Sequence, residues 1–336
     1  MTAPLVNITI PTYNRAASCL EKAIDSALNQ SYENFSITVV DDGSTDHTKK
    51  ILRQYENEPN FAGIVLARNA GTAKAKNAGL LFSDYEAITF HDSDDIPCEN
   101  KILLQLRALC LKGHKADEIL DWNSVNHATG SDLNIDIVVG GYDLLKMDGS
   151  VHYINKRISL LDDFFPNMQF PSKTEGDWVL VNAGMFRRSV FEELGGYLNS
   201  IEEDREIRNR TIAAGCVYFF VDQPLLTKIE MDDSLTMETY TGYRGEKRKQ
   251  DRSQVWNLTK QYRLGMGLPE VCHDWIQPVD LDDVEIDEII NAHLLKLNTT
   301  IPMTAATQNK FSKIFTSRNT VPGARHQDST NVVSIA

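Results

Sequence analysis

The chain has 336 residues, enough for one large α/β domain with additions or for two ordinary domains, and too many to depend on covalent staples for a core. Its 34 Lys and Arg against 47 Asp and Glu leave a formal net charge of −13, which repels nucleic-acid phosphates and argues against general nucleic-acid binding. A hydrophobic content of 42% with 24% charged residues is that of a globular chain rather than a disordered one.

The five cysteines (Cys19, Cys98, Cys110, Cys216, Cys272) are odd in number, scattered and never spaced Cys-x-x-Cys, which fits neither a disulfide framework nor a thiolate zinc site. The N-terminus, MTAPLVNITIPTYN, lacks a basic segment before its short apolar run, and nowhere do about 18 apolar residues follow one another. The expectation is a soluble cytoplasmic protein with no transmembrane segment, with peripheral contact at the inner face of a membrane left open.

In chain order, Val6 to Ile10 reads as a first strand. Ser18-x-x-Glu21 is a capping box opening a helix to Asn29, with Leu20, Ala23, Ile24, Ala27 and Leu28 on one face. Ile37 to Val40 is a second strand stopped by Asp41-Asp42-Gly43-Ser44, and Thr48, Ile51, Leu52 and Tyr55 mark the next helix. Ile64 to Ala67, Thr72 to Leu81 and Ala87 to Phe90 continue the strand, helix, strand alternation expected of a largely parallel sheet. Beyond Leu111 the alternation loosens: a polar stretch around Lys112 to Asn134, a strand at Ile135 to Gly141, and an irregular aromatic region from Phe164 to Trp178. A short helix then ends at Gly195-Gly196, a helix from Asp204 to Ala214 ends at Gly215, and Val217 to Val221 reads as a strand. A basic stretch follows (Arg244, Lys247, Arg248, Lys249, Arg252), then an acidic one from Asp274 to Glu288. The residues after Pro302 read as a polar extension of low local stability.

Ligands of open α/β sheets bind outside the carboxyl ends of the strands, and every strand of the first third ends there in polar residues. Thr12-Tyr13-Asn14, Asp41-Asp42, Arg68-Asn69-x-Gly71 and Asp92-Ser93-Asp94-Asp95 all fall on that edge. Clustered carboxylates repel one another unless a cation joins them. Oxygen ligands select Mg²⁺ or Mn²⁺, which bind one or two carboxylates together with substrate phosphates. Each motif alone is as readily a turn or a helix cap. Together, an aromatic face, a carboxylate able to accept an N–H and an acidic cluster are the parts needed to hold a base, a ribose and a diphosphate.

The successive blocks Ile8-Thr9-Ile10-Pro11-Thr12-Tyr13-Asn14-Arg15, Val39-Val40-Asp41-Asp42-Gly43-Ser44-Thr45-Asp46, Asn69-x-Gly71-x-x-x-Ala75-Lys76-Asn77-x-Gly79 and Phe90-His91-Asp92-Ser93-Asp94-Asp95 resemble, in order and spacing, those of family 2 glycosyltransferases with the GT-A fold. The resemblance runs from about Leu5 to Leu111 and resumes from Asn182 to Gly215. It implies a GT-A type α/β fold, a Rossmann-like, mainly parallel sheet flanked by helices. Residues 1–111 would be the nucleotide-sugar-binding half, 112–242 the acceptor-binding half of the same domain, and 243–336 a C-terminal extension without a recognisable role.

Carried over to this sequence, the resemblance implies that Thr12 and Tyr13 line the base pocket and that Asp42 accepts a uracil imide N–H. Asp92 and Ser93 would contact ribose and diphosphate, and Asp94 would bind Mn²⁺ or Mg²⁺. Pro11, Asn69 and Lys76 are counted with the residues facing the nucleotide sugar. Lys76 stands where the family often has Arg, so it lacks the planar fork. Gly195-Gly196-Tyr197 followed by Glu203-Asp204 resembles the family's GG[FY] and Glu-Asp pair, which makes Asp204 the general base for an acceptor hydroxyl. A helix start also favours acids there. Arg244 and Lys247 could close over the diphosphate or belong to a solvated or membrane-facing surface. The Gln-x-x-Arg-Trp motif of processive members is absent, so the expected activity is inverting, metal-dependent transfer of a single sugar from a nucleotide sugar, most simply a UDP-sugar, to a sugar or other hydroxyl acceptor on a glycan or lipid. The competing readings are a non-catalytic nucleotide-sugar-binding protein and, because a strand precedes DxD, a haloacid-dehalogenase-type phosphatase.

Overall fold

The computed structural model describes residues 3–17, 19–110, 134–155, 181–230, 240–242, 245–264 and 275–316. Ser18 of the expected capping box, the polar stretch 112–133, the aromatic region Phe164 to Trp178, Arg244 and the tail beyond 316 lie outside them.

The first third alternates as its sequence pattern requires: β1 (Val6–Thr12), α1 (Leu20–Leu28), β2 (Phe35–Asp41), α2 (Thr48–Gln54), β3 (Phe61–Leu66), α3 (Thr72–Phe82) and β4 (Ala87–Phe90). These four strands are parallel neighbours in the order β3, β2, β1, β4. β1 pairs on both edges, Val6 opposite Phe35 and opposite Ala87, and all seven of its residues are buried, which is why it reads as an unbroken apolar and Thr/Asn run. α1 buries Leu20, Ala23, Ile24 and Ala27, the stripe that its spacing predicts. α3 is buried almost all round. Gly79 allows its close approach to the sheet, since a Cβ there would lie 2.4 Å from Thr9 Cγ2.

The second part supplies β5 (Asp95–Pro97), α4 (Lys101–Leu109), β6 (Ile137–Leu145), β7 (Val151–Ile154), β8 (Met185–Arg187), α5 (Arg188–Leu194), α6 (Glu203–Ala213) and β9 (Tyr218–Ile229). β9 runs eight residues past the expected stop at Val221. Asp222-Gln223-Pro224 looks like a turn, but the ladder with β6 absorbs it as a bulge, jumping from Gly140 opposite Val221 to Gly141 opposite Pro224. The continuation brings β9 antiparallel to β5, with Lys228 opposite Asp95.

The chain finishes with α7 (Glu246–Leu264), β10 (Ile286–Ile290) and α8 (Ala305–Thr316). Among the described residues the sheet has ten strands: β10, β3, β2, β1, β4, β8, β6, β9, β5 in order, with β7 on β6. β10 closes the β3 edge antiparallel, and Lys49 and Arg53 of α2 bind Asp287 and Glu288 on it. Lys74 binds Asp283. Of the expected loose extension after Pro302, residues 303–316 are docked: α8 packs Phe311 and Phe315 on Phe82 of α3, each ring centroid 5.1 Å away. Phenylalanines four apart form one helical face, and the polar residues between them hide that period.

Candidate active site at the carboxyl edge of the sheet

β1 and β2 end in register, Thr12 opposite Asp41, and the Asp42 N–H donates to the Thr12 carbonyl at 2.8 Å. This sets the two loops side by side. Asn14, with a left-handed φ of 52°, accepts the Thr45 N–H on its Oδ1 at 2.8 Å and donates its own N–H to Ser44 Oγ, also at 2.8 Å. Pro11 and Thr12 are buried below, and Tyr13 is left exposed on the rim. A half-exposed ring beside a buried strand end suits stacking on a flat base.

Asp42 is buried, and its two oxygens accept the N–H groups of Ala70 (2.7 Å) and Gly71 (2.9 Å). Burial nevertheless pushes its carboxyl up to about 6, against the pull of those two bonds. Asp42 thus shapes the loop after β3, and since each carboxylate oxygen can accept twice, it retains capacity for one more donor. Two glycines make the arrangement possible: Gly43 has φ +69° and would drive a Cβ to 2.3 Å from the Arg68 carbonyl carbon, and Gly71 has φ +99°. Asn69 is exposed on the same rim.

After β4 the chain turns sharply, with the Asp95 N–H donating to the Asp92 carbonyl at 3.0 Å. Asp92 and Asp94 are half-buried, while Ser93 and Asp95 are buried. Burial and then the Asp92 charge raise the Asp94 carboxyl above its ordinary value, and burial pushes Asp95 up to about 7. Cations stand off this cluster: Arg15 Nη2 is 3.9 Å from Asp94, Lys228 Nζ is 3.8 Å from both Asp92 and Asp95, and buried Lys101 acts on Asp95 through space. Among the described residues no group of three His, Cys, Asp or Glu side chains forms a ready-made metal cage. An all-oxygen donor pair that shares its ion with phosphates fits this edge better than a closed site does.

Asp204 lies half-buried in the first turn of α6, with the Arg205 N–H donating to its Oδ1 at 2.7 Å. Lys76, expected to face the nucleotide sugar, is not exposed on this rim. It is fully buried in α3, donating to Glu203 Oε1 at 2.8 Å and Asn182 Oδ1 at 2.9 Å, with its ammonium 5.2 Å from the Tyr197 ring centre. Burial alone would lower the Lys76 ammonium, but the charges of Glu203, Asp92 and Asp204 together hold it above its ordinary value. Asp92 of the acidic turn and the α6 carboxylates Glu203 and Asp204 therefore all act on one buried cation. Asn77, beside it, clamps the Gly-Gly-Tyr turn through both backbone groups of Tyr197, accepting its N–H at 2.7 Å and donating to its carbonyl at 2.9 Å.

The described part of the basic stretch is paired within the molecule. Within α7, Arg248 and Arg252 donate to Glu202 Oε1 (3.2 and 3.1 Å), while Arg205 holds Oε2 at 2.8 Å. Asp251 accepts the Ser200 hydroxyl and the Ile201 N–H, and Lys247 is paired to Asp251 at 2.5 Å. Sequence reasoning passed over this hub, Glu203 and Lys228. Glu203 adjoins a motif, whereas Lys228 carries no local signal.

Residues 7–119 match the family described as Glycosyl transferase family 2. An uncharacterized glycosyltransferase of Haemophilus influenzae is 38% identical over 116 residues, 34% of this chain and 45% of that protein, so this chain's match spans less than half of that relative. An uncharacterized glycosyltransferase of Rickettsia typhi is 27% identical over 278 residues, 77% of this chain and 78% of the relative. The crystal structure of Staphylococcus aureus TarS 1–349 in complex with UDP-GlcNAc superposes with a TM-score of 0.53 at 19% identity, covering 80% of this chain and 69% of that one. Residues 7–119 are thus similar to glycosyltransferase family 2, and the chain is folded on the GT-A plan.

Proposed function

We propose that this protein transfers a single sugar from a nucleotide sugar, a UDP-sugar in the first instance, to a hydroxyl of a glycan or lipid-linked acceptor with inversion at the anomeric carbon. The observation that carries this reading is the convergence at one sheet edge of an exposed ring (Tyr13), a buried carboxylate with accepting capacity left (Asp42), an acidic turn (Asp92 to Asp95) and a helix-start carboxylate (Asp204) linked to that turn through buried Lys76. The UDP-GlcNAc complex of the similarly folded TarS supports the choice of nucleotide.

In this reading the Tyr13 ring covers the base and Asp42 accepts its imide N–H. Asp92 and Ser93 face ribose and diphosphate. Asp204 takes the proton of the acceptor oxygen as that oxygen attacks the anomeric carbon and the bond to the diphosphate breaks on the opposite side. Asp94 would hold Mn²⁺ or Mg²⁺, which when bound stabilises the charge on the departing diphosphate. Among the described residues no helix is long and apolar enough to cross a membrane.

The test is transfer and hydrolysis of labelled sugar from a donor panel with Mn²⁺, for the wild type and for Asp204→Asn. The variant should bind UDP as the wild type does and lose transfer by at least about a hundredfold, the scale of a lost general base. Full turnover by Asp204→Asn would remove it as the base. UDP-sugar binding without turnover of any donor would favour the non-catalytic binding protein.

A further inference from the structure

We propose that Lys228 is a donor-site residue, its ammonium serving as a fixed cation of the acidic edge that binds the donor diphosphate and competes with the divalent ion for the same carboxylates. The proposal rests on the nucleotide-sugar reading above and adds a residue from the far half of the sheet.

Lys228 reaches the acidic turn because β9 continues through the Pro224 bulge and pairs antiparallel with β5, setting Lys228 opposite Asp95. Its Nζ lies 3.8 Å from Asp92 Oδ2 and 3.8 Å from Asp95 Oδ1. Both separations exceed hydrogen-bond reach, so the attraction is through space and spends none of the ammonium's three N–H donors on these carboxylates. The side chain of Asp95 is 3% exposed, yet its Oδ1 has no hydrogen-bond partner. A buried carboxylate oxygen left in this way costs free energy unless a cation lies nearby; Lys228 stands 3.8 Å from it, and buried Lys101 also acts on this carboxyl through space.

Charge balance then says what the lysine can do. Asp92, Asp94 and Asp95 stand against Lys228 and Arg15 at close range, with buried Lys101 and Lys76 acting on Asp95 and Asp92 through space, so the edge carries much of its counter-charge on side chains before any metal arrives. Lysine is a compact point charge on a flexible stem. From a position about 1 Å beyond hydrogen-bond length, its ammonium can swing onto a phosphate oxygen without breaking a direct bond to Asp92 or Asp95. The ammonium also repels a dication held by the neighbouring carboxylates. Removing it should weaken diphosphate binding and strengthen metal binding, opposite effects that a lysine serving only to pin β5 to β9 would not produce.

The experiment is titration calorimetry on the full chain, with UDP and GDP added in EDTA and in Mn²⁺, and with Mn²⁺ added alone, for the wild type, Lys228→Met and Lys228→Arg. Loss of a charge-assisted contact predicts that Lys228→Met weakens nucleotide binding in EDTA roughly ten- to hundredfold, while Lys228→Arg retains most of it. Mn²⁺ alone should bind Lys228→Met several-fold more tightly than the wild type. Equal nucleotide affinity for wild type and Lys228→Met overturns the proposal. So does a wild type that binds nucleotide only when Mn²⁺ is present, or a parallel loss of nucleotide and Mn²⁺ affinity with a lowered melting temperature. A wild type that binds neither UDP nor GDP in any condition removes the nucleotide-sugar reading itself, and this proposal with it.

Discussion

Lys76→Met isolates the buried cation on which the two halves of the site meet. The wild-type ammonium donates to Glu203 at 2.8 Å and Asn182 at 2.9 Å, and the side chains of Lys76 and Glu203 are 0% and 9% exposed. Methionine fits the volume but leaves Glu203 buried without its cation and beside Asp204. Breaking a buried pair from one side costs about 3–5 kcal/mol, a large share of a native stability of about 5–15 kcal/mol. The assay is urea unfolding followed by circular dichroism at pH 5 and pH 8. Burial already raises the wild-type Glu203 carboxyl, and without Lys76 it must rise further. A carboxyl raised in the folded state contributes stability below its unfolded pKa and loses it as pH climbs through the folded value, so the gap between variant and wild type should be smaller at pH 5 than at pH 8. Lys76→Met with Glu203→Leu should recover most of the loss, because an apolar pair removes both desolvation costs. A destabilisation under about 0.5 kcal/mol, which is surface-like, or a gap that does not change with pH, would refute the argument.

Three further outcomes are expected. Asp94→Ala should abolish Mn²⁺-dependent enhancement of UDP binding; unchanged Mn²⁺ dependence in calorimetry would remove Asp94 as the metal ligand. Asp42 has its carboxyl raised from 3.8 to about 6, so its contribution to the free protein's stability is present at low pH and is lost as pH rises through about 6. The urea midpoint should show that loss between pH 5 and 7.5, and Asp42→Asn should flatten it. Phe311→Ala should cost about 3–5 kcal/mol in urea unfolding if α8 is docked on Phe82, and under about 1 kcal/mol if the helix is peripheral to the core.

β1 to β4 were legible because each is a short apolar or β-branched run ended by polar residues, and a strand buried on both faces needs no finer pattern. The edge motifs were legible for the same reason: they follow the strands directly, so naming the strand places the motif. Lys76 was misplaced because an isolated lysine on a helix is ordinarily solvated, and its partner Glu203 stands 127 positions away. Lys228 was invisible because Asp222-Gln223-Pro224 has the composition of a turn, and only the ladder with β6 reveals that the strand survives it.

The same cause explains why the C-terminal part looked detached. Its charges read as solvated runs until each meets its opposite: Glu288 with Lys49 and Arg53, Asp283 with Lys74, and Arg248 and Arg252 with Glu202. Glu202 precedes Glu203 and Asp204, so the anchor from α7 reaches the start of α6 two residues before the carboxylate assigned as base. Burial alone would raise Glu202, but hydrogen bonds from Arg252 and Arg205 hold it below its ordinary value. α7 lies beyond residues 7–119, yet it is what holds the loop from Ser200 to Glu202 against the rest of the molecule. Residues 7–119 carry the acidic edge, whereas the placement of the carboxylate proposed as base depends on residues outside them.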